Sequence, residues 1–234
     1  MKITAAIFAS MLVLPCAAMA QERPRDASIS FGYVGTTGNT DTTTYNLEAL
    51  LKYDTMRWTH NAKFQALGAQ ENDAARAERY YLEDKSDFNL DADQYLFGKG
   101  SYTDDRFSGF EYQAAFSTGY GRYLLRNDTF NLQGFGGVGY RQNDIINAGS
   151  EGEVIFSLGE NFAWEISDSS SLTQSVTSEI GDELTVTRFE IGLESNIIDR
   201  IATKITFQAR NTSKVPLGNK KTDTQTSVSL VYTF

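Results

Sequence analysis

The chain ends Thr224-Gln-Thr-Ser-Val-Ser-Leu-Val-Tyr-Thr-Phe234, and the alternation runs to its last residue. Thr224, Thr226, Val228, Leu230, Tyr232 and Phe234 form one row, and Gln225, Ser227, Ser229, Val231 and Thr233 form the other. A period of two marks a strand with two unlike faces. Chain ends fray unless they are tied down. An aromatic at the extreme C-terminus fits a strand that must close a barrel, because an open sheet edge in lipid leaves backbone N–H and C=O groups unpaired. The tail predicts the closing strand of an outer-membrane β-barrel, with Phe234 as the assembly signal presented to the barrel assembly machinery.

The same pattern recurs upstream. Tyr45, Leu47, Ala49, Leu51 and Tyr53 alternate with Asn46, Glu48, Leu50 and Lys52. Trp58, His60, Ala62, Phe64 and Ala66 alternate with Thr59, Asn61, Lys63 and Gln65. Comparable rows follow around 80–90, 94–103, 109–121, 129–140, 153–164, 171–180, 186–197 and 201–211, with residues 27–35 as the first strand. The sequence therefore predicts an all-β protein, a closed antiparallel transmembrane β-barrel of about twelve strands. The mean hydropathy of −0.36 agrees, since one residue in two of such a wall faces a polar lumen. Tight turns are expected at 54–57, 91–93, 124–128, 165–170 and 198–200, and longer external loops at 69–79, 141–152 and 212–222.

The N-terminus predicts export. Lys2 precedes the apolar run Ile3–Ala18, and Ala18-Met19-Ala20 is a small-x-small cleavage site. Residues 1–20 are expected to be a signal peptide and 21–234 the barrel domain, located in the cell outer membrane. Pro15 before Cys16 argues against lipoprotein processing. Taking Lys2 from 21 basic residues leaves 20 against 30 acidic, a net charge of −10, which argues against nucleic acid as a partner. Loss of Cys16 removes the only cysteine, and His60 is the only histidine, so no metal site and no cofactor are expected.

Aromatics gather near strand ends. Tyr53, Trp58, Tyr123, Phe130, Trp164 and Tyr232 are expected at the periplasmic membrane interface, and Tyr33, Tyr80, Tyr102, Phe110 and Tyr140 at the outer one. Beyond these patterns the chain resembles the YdiY-like salt-induced outer-membrane proteins of Gram-negative bacteria, a family without a settled biochemical function. The resemblance spans residues 27–234 and is carried by Gly35-Thr-Thr-Gly-Asn-Thr40, Tyr95-Leu-Phe-Gly-Lys-Gly-Ser-Tyr102, Asp105-Arg-Phe-Ser-Gly-Phe110 and Gly119-Tyr-Gly-Arg122. It implies an outer-membrane location and a link to salt or osmotic stress. It implies no catalytic residues.

The expected lumen lining is charged and of mixed sign: Lys52, Lys63, Lys85, Lys99, Arg188, Lys204 and Arg210 with Glu48, Glu83, Asp87, Glu111, Glu179, Glu190 and Glu194. Two readings stay open, a narrow passive channel for small solutes and a structural barrel bridged by ion pairs. Lys214, Lys220 and Lys221 in the last loop are either a solvated loop face or a contact for lipopolysaccharide phosphates at the lipid surface. Asp91-Ala-Asp93 lacks the ligand series of a calcium loop and reads as a turn. A lipid-acting enzyme is the rival class, with His60 outward and Ser86 and Asp84 on the neighbouring strand, although no nucleophile motif accompanies them. A soluble periplasmic ligand-binding barrel is the third, and it requires the apolar row inside.

Overall fold

The computed structural model describes residues 25–36, 42–71 and 74–234. The signal-peptide segment 1–20 and most of the first expected turn, 36–40, lie outside the described residues. Twelve strands run in chain order: β1 (Arg25–Thr36), β2 (Thr42–Asp54), β3 (Trp58–Glu71), β4 (Ala74–Asn89), β5 (Gln94–Asp105), β6 (Phe110–Arg126), β7 (Phe130–Ile145), β8 (Gly149–Ser167), β9 (Ser170–Gly181), β10 (Thr185–Ile198), β11 (Ile201–Thr212) and β12 (Thr222–Thr233). Each pairs antiparallel with its neighbours in sequence, and β12 pairs with β1 to close the barrel. The closing register joins Ser28 to Thr233 and Phe31 to Leu230. Phe234 continues the seam, its N–H donating to the Ala27 carbonyl at 2.9 Å.

The greasy row faces outward. Leu230 is 58% exposed and Phe156 60%, and Leu82, Phe116, Val138, Val154, Leu158 and Ile205 are exposed with them. Leu47, Phe64 and Ile191 share these outward rows and are half-buried by neighbours on the same wall. Glu48, Lys85, Asp87, Lys99, Arg141, Glu153, Glu179, Lys204 and Arg210 are buried on the alternate rows. The polar side is thus inside, the reverse of a soluble barrel.

Several boundaries differ from the sequence reading. The expected loops at 69–79 and 141–152 are largely strand: β3 reaches Glu71, β4 starts at Ala74, and β7 and β8 are separated only by residues 146–148. Arg79, Arg141 and Asn143 are polar because they face the lumen, and a lumen row and a loop look alike in composition. Only 213–221 remains a long connection among the described residues at the end opposite the C-terminus. At Asp91 the tight turn is as expected, the carboxylate accepting the N–H groups of Asp93 and Gln94 at 2.8 Å each.

Two bulges in β6 shift its outer parts. Between Phe110 and Tyr112 the pairing with β7 skips Glu111. Phe110 therefore turns inward and is 3% exposed, packed with Ile145, Leu184 and Val186, while Glu111 is exposed. Glu111 is corrected from lumen lining to surface, and Phe110 from outer belt to interior. Tyr123 is also corrected: it falls on the inner row with Gly121, and its ring packs 5.8 Å from Tyr95. Tyr53, Trp58, Trp164 and Tyr232 lie on outward rows near the end that carries the C-terminus. Tyr232 and Phe234 meet edge to face at 5.0 Å.

A charge placed in the middle of the outward row should be costly. Leu158→Arg, central in β8, is expected to destabilise the barrel by about 2–4 kcal/mol in bilayer unfolding titrations. A neutral effect there would mean that this row does not meet hydrocarbon.

Candidate functional site: a strutted lumen

The inner rows carry more charge than the wall can leave unpaired, and the structure pairs it across the barrel. Lys63 of β3 lies 2.6 Å from Glu190 of β10 and 3.5 Å from Glu48 of β2. Strands β3 and β10 are five steps apart around the ring, so the first contact crosses the lumen. Lys204 of β11 reaches Glu48 at 2.9 Å. Gln65 donates to Glu48 Oε2 at 2.7 Å, and Gln208 donates at 3.0 Å to the same Glu190 Oε2 that Lys63 holds. Arg210 of β11 lies 3.4 Å from Asp105 of β5, six steps away and diametrically opposite, and also donates to the Gln113 amide oxygen. Arg79 of β4 donates to Gln225 of β12 at 2.9 Å.

A second group lies against β7–β10. Arg141, 1% exposed, sits 2.7 Å from Glu153 and 3.5 Å from Glu179, and Arg188 is 3.3 Å from Glu179. Arg141 also donates to the Leu184 carbonyl, and Glu153 accepts the Glu183 N–H at 2.8 Å. The β9–β10 turn is thereby drawn inward and seats Leu184 against Phe110 and Val186.

The third group is aromatic. Tyr95, Phe97 and Phe135 fill the lumen near the terminal end, with Phe97 and Phe135 edge to face at 5.4 Å. Gly121 and Gly159 on neighbouring strands leave room for the Tyr95 and Phe135 rings, since a Cβ at either would overlap them. Lys85 stands over the cluster, its Nζ 4.6 Å from the Tyr95 centroid and 5.3 Å from that of Phe135, while bonding Asp87 at 2.6 Å. The cation is held by a carboxylate on one side and ring faces on the other. Lys99 pairs with Glu83 at 3.0 Å, and Glu83 also accepts the Tyr81 hydroxyl at 2.5 Å.

Among the described residues the ring encloses a cavity of about 470 Å³. It runs from Phe107, Ser108, Lys220 and Asp223 at the upper mouth, past Arg79, Arg188 and Arg210, to Lys63, Lys85 and Phe135. Part of its mouth is crossed by the 213–221 loop, whose Pro216 and Asn219 press on Gly109 in the β5–β6 turn across the barrel. Gly109 has φ 84°, a conformation that favours glycine, and it has no room for a side chain. Lys214 in the same loop donates to Glu183 at 2.9 Å, and this hydrogen bond raises the lysine above its ordinary value.

Of the expected lining residues, Glu48, Lys63, Lys85, Arg188, Glu190, Lys204 and Arg210 meet in these networks. Glu194 is half-buried on the inner row opposite Lys204 in the β10–β11 pairing. Lys52 is at the terminal rim, half-exposed and 3.2 Å from Asp54. Arg79, Asp105 and Arg141 lie beyond the expected strand limits, where the sequence reads as loop, and Glu153 opens the expected strand 153–164 on its inner row without being among the expected lining residues. Continuing the alternation of Phe135 by two-residue steps is the signal that reaches Arg141.

The outward trio does not assemble a hydrolase. His60 Nδ1 is 2.8 Å from Ser86 Oγ, but Asp84 takes the serine proton at 3.3 Å instead of orienting the imidazole. Acyl transfer needs the carboxylate on the far ring nitrogen and N–H donors free for an oxyanion. In the wall those N–H groups belong to the strand pairing.

Arg141→Met should leave Glu153 and Glu179 buried without their shared cation. A loss of about 3–5 kcal/mol in unfolding free energy is expected. A loss below about 1 kcal/mol would show that water already solvates both carboxylates.

A model of a family described as "Protein of unknown function, DUF481" matches residues 29–234. The uncharacterized protein YdiY of Escherichia coli (strain K12) is 27% identical over 217 residues, covering 90% of this chain and 84% of that protein. Among solved structures, the COG4313 outer membrane channel from Pseudomonas putida F1 superposes with a TM-score of 0.53 at 10% identity, over 93% of this chain and 98% of the channel. The NanC porin gives 0.53 at 10% identity, over 90% and 99%. At such identities the likeness is one of fold, that of outer-membrane barrels. On the match over residues 29–234, the chain belongs to the DUF481 family of proteins of unknown function.

Proposed function

We propose that the protein is a narrow passive channel of the bacterial outer membrane for small polar solutes. The observation that carries the reading is the cavity of about 470 Å³ inside the ring, lined by Lys63, Glu190, Asp105 and Arg210, which pair across it from opposite walls. A barrel filled by side chains has no such vestibule, and a wide porin has no ion pairs between diametrically opposed strands. The paired, mixed-sign wall gives weak charge selectivity. The fold shared with an outer membrane channel and a porin supports the same class.

The mouth bearing the cavity faces outward, because the start of β1 and the end of β12 lie at the other rim, the side of the short periplasmic turns. Lys214, Lys220 and Lys221 then stand at the outer leaflet; Lys214 is already held by Glu183, and lipopolysaccharide phosphates are fitting counter-charges for Lys220 and Lys221. Phe234 marks the closing strand for the barrel assembly machinery. The salt- or osmotic-stress link rests on the family resemblance; a protein level that does not respond to salt removes it.

Planar-bilayer recordings should show small unit conductance with weak ion selectivity. Removing the strut in Lys63→Met/Glu190→Gln should raise that conductance. Silence of the parent across many reconstitutions would favour the structural barrel instead. Deleting Phe234 should slow insertion and reduce the heat-shifted folded band on gels; normal assembly of the truncated chain would free Phe234 of that role.

A further inference from the structure

Two carboxyl groups stand on outward rows well inside the strands. Glu160 of β8 is answered locally, because Gln174 of β9 donates to it at 3.0 Å. Asp84 of β4 is served less well. It is exposed, five residues above the end of β4 at Asn89, and the partner given by the structure is Ser86 Oγ at 3.3 Å. The wall continues apolar on both sides of it, with Trp58 against Phe88 below and Phe64 paired with Leu82 above. The group is therefore at hydrocarbon depth, above the aromatic pair.

The hydrogen bonds around Asp84 form a directed chain. Ser86 gives its single proton to Asp84, so at 2.8 Å it accepts from His60 Nδ1–H. The His60 ring is stacked 7° from the plane of Trp58 and 22° from that of Tyr53, which fixes its direction. His60 Nε2 and Asp84 Oδ1 have no hydrogen-bond partner among the described residues. An imidazole nitrogen and a carboxylate oxygen are complementary across a single hydrogen bond, and within one copy both are joined to Ser86 instead. Lipid tails supply neither donor nor acceptor, so intramembrane polar groups seek protein partners.

Beside this trio the wall is notched. Gly98 pairs with Ser86 and Gly100 with Asp84, and a Cβ at either would meet nothing within 4 Å. A protein surface can approach the β5 backbone here more closely than anywhere a side chain projects.

We propose that this face of β3–β5 is the contact between two copies of the chain in the membrane. A two-fold axis through the patch brings His60 of one copy to the partner's Asp84 and the reverse, and apolar side chains of each copy enter the other's Gly98–Gly100 notch. The patch carries one acid and one base one strand apart, which makes it self-complementary, as an isologous contact requires. The inference is independent of whether the lumen conducts.

Ala62 pairs with Asp84 and sits near the axis, and no cysteine follows Cys16 in the chain. Ala62→Cys in lipid vesicles should form a covalent dimer on mild oxidation, while Val154→Cys, exposed on β8, should not. Adding Gly100→Leu, which fills open space outside the barrel, or Asp84→Leu should abolish most of the cross-link. Both variants should keep the heat-dependent gel shift of a folded barrel. Equal cross-linking at Ala62→Cys and Val154→Cys, no cross-linking at Ala62→Cys, or an undiminished yield with Gly100→Leu would overturn the proposal.

Discussion

Every backbone N–H and C=O of the wall must be answered by another strand, because hydrocarbon answers none. The rest of the molecule depends on that closure. It explains why twelve strands follow one another around the ring in chain order and why the last must find the first. It also explains why the alternation persists to the final residue. The β1–β2 register runs from Arg25–Tyr53 to Thr36–Thr42, whereas the β1–β12 register runs only from Ser28–Thr233 to Phe31–Leu230. The Phe234 N–H bond to Ala27 lengthens a short seam at the point where the chain ends. A covalent hairpin joins most neighbours; this seam has only its hydrogen bonds and outward side chains.

With the apolar row committed to lipid, the polar row has to be accommodated inside. A twelve-stranded ring is too wide for small side chains to fill and too narrow for charges to ignore one another. The protein resolves this by division. Aromatic rings occupy the terminal end, an apolar cluster around Phe110 and Leu184 occupies one side of the other end, and long cations and carboxylates bridge the space between. Such bridges are weak evidence of net stability, since burying both charges offsets much of their attraction. Their clearer effect is to fix a cross-section. Lys63 shows it best, since its two carboxylates come from β2 and β10 on different arcs of the ring.

The fold was legible because every strand shows one row to lipid, so the period of two is repeated twelve times with one meaning. Leu47, Phe64, Ile191 and Leu230 are outward for that reason alone. Misreadings fall where the period breaks or loses contrast. A skipped residue at Glu111 exchanged the faces of Phe110 and Glu111, and no residue type announces a bulge. Tyr123 looked like an interfacial ring because aromatics serve both girdles and plugs. Arg141 and Asn143 looked like loop because lumen and loop share their chemistry. The struts themselves could not be read: Lys63 and Glu190 lie 127 positions apart, and their meeting depends on ring geometry.

A bore held by charge differs from one held by a folded plug. Its braces are pairs of opposite charge drawn from different arcs of the ring, sunk in the wall where added salt screens them far less than it screens a pair at the surface. The spacing of facing walls is thus set chord by chord, by individual side-chain pairs and not by a separate folded element.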